Sequence, residues 1–195
     1  MRRRLFFAWR WPAGRAEHIV EATVLMDSDA IRATLTRIAR EIIGDNTDLS
    51  NLVLLGILRR GRPLADRLAG QIGALSGVTP PVGSLATTLY RDDVHAGVKH
   101  KGETHFDFNV DGRTVLLVDD VLAAGRTIRA AMDEVMDYGR PRRIQLACLV
   151  DRGGRELPIQ ADYLGWSVSA PPADWIAVHL TEIDGEDAVL QERRD

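Results

Sequence analysis

Two adjacent carboxylates, Asp119 and Asp120, end the apolar run VLLV at 115–118, and a turn of small residues follows before an amphipathic stretch that begins near Thr127. A turn between a strand and a helix N-terminus presents several backbone N–H groups and the positive end of the helix dipole, which suits a phosphate. Ala123, Ala124 and Gly125 let that backbone approach an anion closely, while Arg126 and Thr127 add a cation and a hydroxyl. The acids meet a different need. A ribose carries vicinal hydroxyls that donate to carboxylate oxygens, so Asp119 and Asp120, linked to the turn by Val121 and Leu122, match a ribose bearing a 5-phosphate. The same spacing also suits a plain strand end with an N-cap and two chance acids.

Positioning such a constellation takes a scaffold of strands and helices. Asp27 reads as an N-cap, followed by Ile31, Leu35, Ile38, Ala39 and Ile42 at helical spacing, with Gly44 as a stop. The run 51–57 has strand length, and after the basic turn LRRGRP a helix places Leu64, Leu68, Ile72 and Leu75 on one side. A strand is expected over 84–93 and a mobile hairpin or flap over 94–109. A strand at 113–118, a helix through Ile128, Ala131, Met132 and Val135, and a strand at 143–150 follow, with Gly139 and Pro141 ending the helix. Residues 151–195 read as a loop, a short strand and a final strand or edge. Strands alternating with amphipathic helices predict an α/β domain whose mainly parallel sheet binds ligands beyond the carboxyl ends of its strands.

The chain has 195 residues, 45% hydrophobic and 27% charged, enough to bury the core of one domain. A formal net charge of −3 excludes a wholly electrostatic nucleic-acid binder, although the basic clusters at 59–62 and 140–143 leave RNA open. The lone cysteine, Cys148, sits in the apolar run IQLACLV, so an intramolecular disulfide is impossible, and a buried thiol fits a reducing cytoplasm. In the basic and aromatic segment 1–20, Arg10 interrupts an apolar stretch too short for a signal-peptide core or a membrane span. That segment is expected to be a poorly ordered tail before a single domain at 21–195, and its Leu5, Phe6, Phe7, Trp9 and Trp11 offer apolar surface for association. The five histidines show no zinc-ligand spacing.

VLLVDDVLAAGRT resembles the phosphoribosyl-pyrophosphate (PRPP) motif of type I phosphoribosyltransferases. Further segments, MDSDAIRATLTRIAREI, TLYRDD, GRPRRIQLACLVDRGGRELPIQADYLG and VHLTEIDGEDAV, are similar in order to the pyrimidine-operon regulator and uracil phosphoribosyltransferase family, PyrR, from about residue 24 to about residue 190. The resemblance implies the type I phosphoribosyltransferase fold, with a flexible loop at about 90–109 and a small hood. It implies conversion of uracil and PRPP to UMP and pyrophosphate with Mg²⁺ carried by PRPP, not by a protein-only metal site. It also implies UMP-responsive binding of leader RNA (transcription attenuation), a cytoplasmic location and a homo-oligomer, dimer or tetramer.

On this resemblance Asp119 and Asp120 hold the ribose hydroxyls, neither as a general base, and Val121, Leu122, Ala123, Ala124, Gly125, Arg126 and Thr127 form the rest of the PRPP motif. Arg59, Arg60 and Gly61 form the pyrophosphate loop, with Arg60 joining the two acids as the catalytic set. Asp151 and Arg152 lie nearest the base in the hood, where Arg155 and Glu156 read equally as a structural pair. Lys99 and Lys101 in the flexible loop read as solubilising charges or as loop cations.

The chain departs from the family pattern at several positions. Ala123 and Ala124 stand for Tyr-Thr, which removes one hydroxyl toward the phosphate, worth about 1 kcal/mol. Arg59 stands for threonine, Gly154 for histidine, and Gln160 and Trp166 for basic residues, so the hood has fewer cations with which to meet RNA phosphates. In 6-oxopurine members of the superfamily a carboxylate at the position of Ala123 serves the purine ring, and alanine offers none. Two alternatives stay open: a nucleotide-sensing RNA-binding regulator with little catalysis, and a related transferase acting on orotate or a purine.

Overall fold

The computed structural model describes residues 19–87, 103–171 and 173–194. Helix α1 (Ser28–Asp45) begins where the Asp27 carboxylate accepts the Ala30 N–H at 2.9 Å. It buries Ile31, Leu35, Ile38, Ala39 and Ile42, the anticipated stripe. The helix runs one residue beyond Gly44, because Asn46 closes it by donating both its backbone and side-chain N–H to the Ile42 carbonyl.

Strand β2 (Leu52–Ile57) is buried at every position, as a central parallel strand must be. Helix α2 (Gly61–Ser76) returns along the sheet on Leu64, Ala65, Leu68, Ala69 and Ile72. Leu75, expected on the same side, is 44% exposed, the core stripe ending one turn before Gly77 caps the helix. The next strand, β3 (Val82–Leu85), starts earlier than the expected 84–93, and residues 88–93 of that expectation lie outside the described residues. So does most of the flap, although Ser84 and His105 form an antiparallel bridge and Phe106 stacks on Phe108 and meets the Tyr138 ring at a tilt.

Strand β4 (Thr114–Leu122) does not stop at Val118. Its ladder to β5 (Arg143–Asp151) continues through Asp119↔Cys148 and Val121↔Val150 to Leu122↔Asp151, so backbone pairing carries the acids inside the sheet. Side-chain alternation slips there. Leu116, Val118 and then Val121 pack with α1 and α2, whereas Val115, Leu117 and then Leu122 pack on the other face.

That second face is covered by α3 (Arg126–Tyr138) through Ile128, Ala131 and Val135. Met132, read from periodicity as a core residue, is 38% exposed, and Glu134 is buried in the helix because the Thr104 hydroxyl donates to it at 2.8 Å. The sheet order is β3-β2-β4-β5-β6, all parallel, with β6 (Tyr163–Ser167) at the far edge. The α/β fold with a parallel sheet between helices is the one expected.

A second sheet, absent from the sequence reading, pairs β1 (Ile19–Met26) with β8 (Ala188–Arg194) and β8 with β7 (Asp174–His179), all antiparallel. Its first strand begins inside the segment read as a tail, and the one-turn helix α4 (Thr181–Asp184) links β7 to β8. Ile176, Val178, Leu180 and Val189 join the α1/α2 side of the core, which seats this hood against that layer.

Candidate functional site

The acid pair sits where β4 leaves the sheet. Asp119 is 7% exposed and its Oδ1 accepts the Asp120 N–H at 3.0 Å, while Asp120 Oδ1 accepts the Val121 N–H at 2.9 Å. Burial pushes the Asp120 carboxyl above its ordinary range, opposed by the charge of Arg60 and by the Val121 N–H. Burial thus disfavours the charged form of Asp120, and donors from a ligand would favour it.

Beyond Leu122 the turn is built by what satisfies its carbonyls. Ala124 O accepts the N–H groups of Glu156 and Leu157 at 3.0 and 3.1 Å, Ala123 O accepts Arg155 Nη1 at 2.7 Å, and Leu122 O accepts the Arg152 N–H. Gly125, at φ 92°, caps α3. With the carbonyls turned into the loop 152–159, no acceptor among the described residues meets the N–H groups of Ala123, Ala124, Gly125 or Thr127. A helix N-terminus with open backbone donors can serve as an anion cradle. Arg126 lies on its rim, paired with Glu156 at 2.7 Å.

The opposite wall comes from the turn between β2 and α2, where the Leu58–Arg59 peptide is cis. Arg59 is exposed, whereas Arg60 is partly buried and caps α2. Gly61 touches β4 directly: a Cβ there would lie 2.2 Å from the Val118 carbonyl oxygen, one residue before the acids. Backbone contact thus sets the spacing between loop and acid pair. Gly61→Ala is expected to cost about 1–3 kcal/mol, read as a lower denaturation midpoint, because a backbone oxygen cannot rotate away.

The loop 151–159 is held by its own ion pairs and hydrogen bonds. Asp151 accepts the Gly153 N–H at 2.8 Å and the Arg155 guanidinium, so its carboxylate braces the loop. Arg155 and Glu156 do not pair with each other: Arg155 binds Asp151, Ala123 O and Ile159 O, while Glu156 binds Arg126, because the two side chains serve opposite sides of the turn. Arg152 is half-buried beside them. Cys148, in register with Asp119, is buried, and burial pushes its thiol well up, with the charges of Asp119 and Asp120 adding to the effect.

Two ion-pair sets escaped the sequence reading. Arg60 grips Asp184 at 2.8 and 3.1 Å, and Arg67 bridges Glu182 and Asp187 at 2.6–2.8 Å, tying α2 to the turn of α4. The acids of EIDGED were the available signal, but only folding selects their partners. Among the described residues there is no group of three or more His, Cys, Asp or Glu side chains able to hold a metal, and no helix long and apolar enough to cross a membrane.

A family model described as the phosphoribosyl transferase domain matches residues 22–181. Bifunctional protein PyrR of Pelotomaculum thermopropionicum is 53% identical over 174 residues, which cover 87% of this chain and 95% of that protein. The chain belongs to the PyrR family. Bifunctional protein PyrR of Clostridioides difficile is 51% identical, with 88% and 98% of the two chains covered. Among solved structures, a hypoxanthine-guanine phosphoribosyltransferase of Bacillus anthracis aligns with a TM-score of 0.66 at 18% identity, over 87% of this chain and 96% of that one. A Trypanosoma cruzi hypoxanthine phosphoribosyltransferase gives 0.67 at 18%, over 93% and 95%. At that identity the structures share the fold. This PyrR-family chain is a phosphoribosyltransferase, and its anion cradle and acid pair occupy the switch from strand to helix expected to hold a ligand in an open α/β sheet.

Proposed function

We propose that this PyrR-family chain is a uracil phosphoribosyltransferase that forms UMP and pyrophosphate from uracil and PRPP, and that UMP regulates its binding of pyrimidine-operon leader RNA. The observation that carries the reading is the junction at 119–127, where two carboxylates precede a turn whose N–H groups at 123–125 and 127 meet no acceptor among the described residues. It is supported by identity above half, over nearly full length, to proteins named bifunctional protein PyrR.

In this reading Asp119 and Asp120 accept the ribose 2- and 3-hydroxyls, and the N–H groups of 123–127 with the Thr127 hydroxyl hold the 5-phosphate. With both ends fixed, the anomeric carbon is presented between uracil and the diphosphate, and positive charge develops on the ribosyl centre as the C–O bond breaks. Catalysis then comes from positioning and from Arg60 and the Gly61 N–H meeting the departing charge; uracil N1 bonds to the anomeric carbon as the C–O bond breaks, and its proton leaves with the released pyrophosphate, so neither acid has to take it. Asp119 and Asp120 present the hard oxygen chemistry that Mg²⁺ accepts, and the ion, carried by the diphosphate, supplies charge neutralisation when bound. Asp151 and Arg152 shape the base side, Asp151 through Arg155. The backbone of the 5-phosphate cradle does not depend on a side chain at 124, so the alanine there is compatible with turnover. Ala123 offers no carboxylate to a purine ring.

Purified protein with uracil, PRPP and Mg²⁺ is expected to release UMP and pyrophosphate. No turnover above that of a variant with both Asp119→Asn and Asp120→Asn would sink the reading. Hypoxanthine, guanine and orotate in the same assay should be poor substrates. For the regulatory half, leader RNA should be retained on a filter in proportion to UMP. Retention indifferent to UMP removes that half. A native oligomer, dimer or tetramer, in the cytoplasm completes the proposal; the aromatic segment 5–11 first read as its driver lies outside the described residues.

A further inference from the structure

We infer that Asp184 is a positioning residue: from the hood it fixes the guanidinium plane of Arg60 so that the outer edge of that group is presented to the diphosphate of PRPP. The inference rests on the phosphoribosyl transfer proposed above, and it assigns a hood residue to the pyrophosphate side of the reaction.

The geometry is side-on. Arg60 donates Nε–H to Asp184 Oδ2 at 3.1 Å and Nη2–H to Oδ1 at 2.8 Å. A guanidinium has five N–H donors arranged as more than one bidentate edge. The side-on pair consumes one edge, leaving both Nη1 hydrogens and the second Nη2 hydrogen as the other. No acceptor among the described residues meets that remaining edge. The side-on pair thus leaves the end edge, Nη1 with Nη2, for a phosphate.

Asp184 is itself held in place. It accepts the Leu180 N–H at 3.0 Å, and Gly185, at φ 82°, closes the turn by donating to Thr181 O. Arg67 bridges Glu182 and Asp187 on either side of it, so the turn is fastened to α2 at two levels. Burial alone would raise the Asp184 carboxyl, but hydrogen bonds from Arg60 and Leu180 outweigh it and hold the group below the ordinary range, so it stays ionised at neutral pH. Gly61, the next residue, lies against the Val118 carbonyl, one residue before the acid pair, which sets the Arg60 backbone beside those acids. Arg60 and Asp184 lie 124 residues apart in sequence. The pair therefore makes the arginine's orientation depend on the hood being seated.

Freed from Asp184, Arg60 becomes a long flexible cation at the N-terminus of α2 and must be ordered afresh by each diphosphate, a cost that corresponds to about tenfold in affinity. The experiment is a double-mutant cycle read by titration of PRPP with Mg²⁺ and by steady-state kinetics. Asp184→Asn keeps an acceptor for the Leu180 N–H but loses the charged side-on pair. It is expected to raise the Kd and KM for PRPP about tenfold while leaving the KM for the base unchanged. The same substitution in an Arg60→Ala background should add nothing. Where that background binds too weakly to titrate, Arg60→Lys, which cannot form a side-on pair, takes its place.

An Asp184→Asn effect of equal size in both backgrounds, or one that falls on the base KM, overturns the inference, since it marks a merely structural role. Asp184→Ala, followed by thermal unfolding, measures the structural part separately. Wild-type protein that binds PRPP but does not turn over uracil defeats only the uracil assignment. Wild-type protein that does not bind PRPP defeats both.

Discussion

Asp120→Asn is expected to weaken PRPP binding and turnover by about 10²-fold or more and, at neutral pH, to raise the unfolding temperature. The two effects have one cause. The protein without ligand desolvates the Asp120 carboxylate, and the opposing charge of Arg60 and the Val121 N–H do not fully offset this, so its carboxyl titrates above the ordinary value of 3.8. For a carboxyl raised on folding, the native state binds more protons than the unfolded chain between the two pKa values. Stability contributed by this group therefore falls as pH rises through that window, and the full cost is present above the folded pKa. Asparagine removes the charge and its cost, along with the negative acceptor proposed for the ribose hydroxyls. Its stability advantage should shrink as pH falls toward 3.8, where wild type becomes neutral too. A variant that lost PRPP binding but gained nothing in thermal stability at neutral pH would show that the carboxylate is solvated as it stands.

Arg67→Ala is expected to loosen the hood and to destabilise the fold by about 2–3 kcal/mol, because it leaves Asp187, whose side chain is 15% exposed, without its cation. Hydrogen bonds from Arg67, ahead of those from Thr181, hold Asp187 at a pKa of about 2, against an ordinary 3.8. A carboxyl lowered on folding contributes stability that is present above its unfolded pKa and lost as pH falls through the folded one. The wild-type protein should therefore lose about 1–2 kcal/mol between pH 4 and pH 2 through this group, a figure reduced for the solvent that still reaches the network. Arg67→Ala should show a flatter acid limb. Urea unfolding at several pH values checks both, and parallel acid limbs for the two proteins would dismiss the network as a stabilising element. Since Arg67 and Asp184 fasten the same turn, the variant should also raise the KM for PRPP.

What was legible in the sequence follows from the range over which each signal acts. Helix α1 is written locally: Asp27 caps it, five apolar residues recur at its period, and the same five are buried. The acid pair and the small-residue turn were legible for the same reason, because strand, acids, turn and helix N-terminus are contiguous from 114 to 138. Periodicity misjudged Met132, and it carries no signal for the burial of Glu134, since the hydroxyl that meets Glu134 belongs to Thr104, thirty positions away. It also ended β4 at Val118, because polar letters mark a strand end locally while the ladder to β5 carries the backbone four residues further.

By itself, then, the sequence determined the parallel α/β core and the contiguous order of strand, acids, turn and helix at 114–138, both products of short-range pattern. Only the tertiary structure decided the hood sheet, which pairs residues 19–26 with 188–194, and the choice of Asp184 for Arg60. Partners so distant share no period and no motif; an antiparallel register and a side-on ion pair exist only once the core has brought the two ends of the chain together.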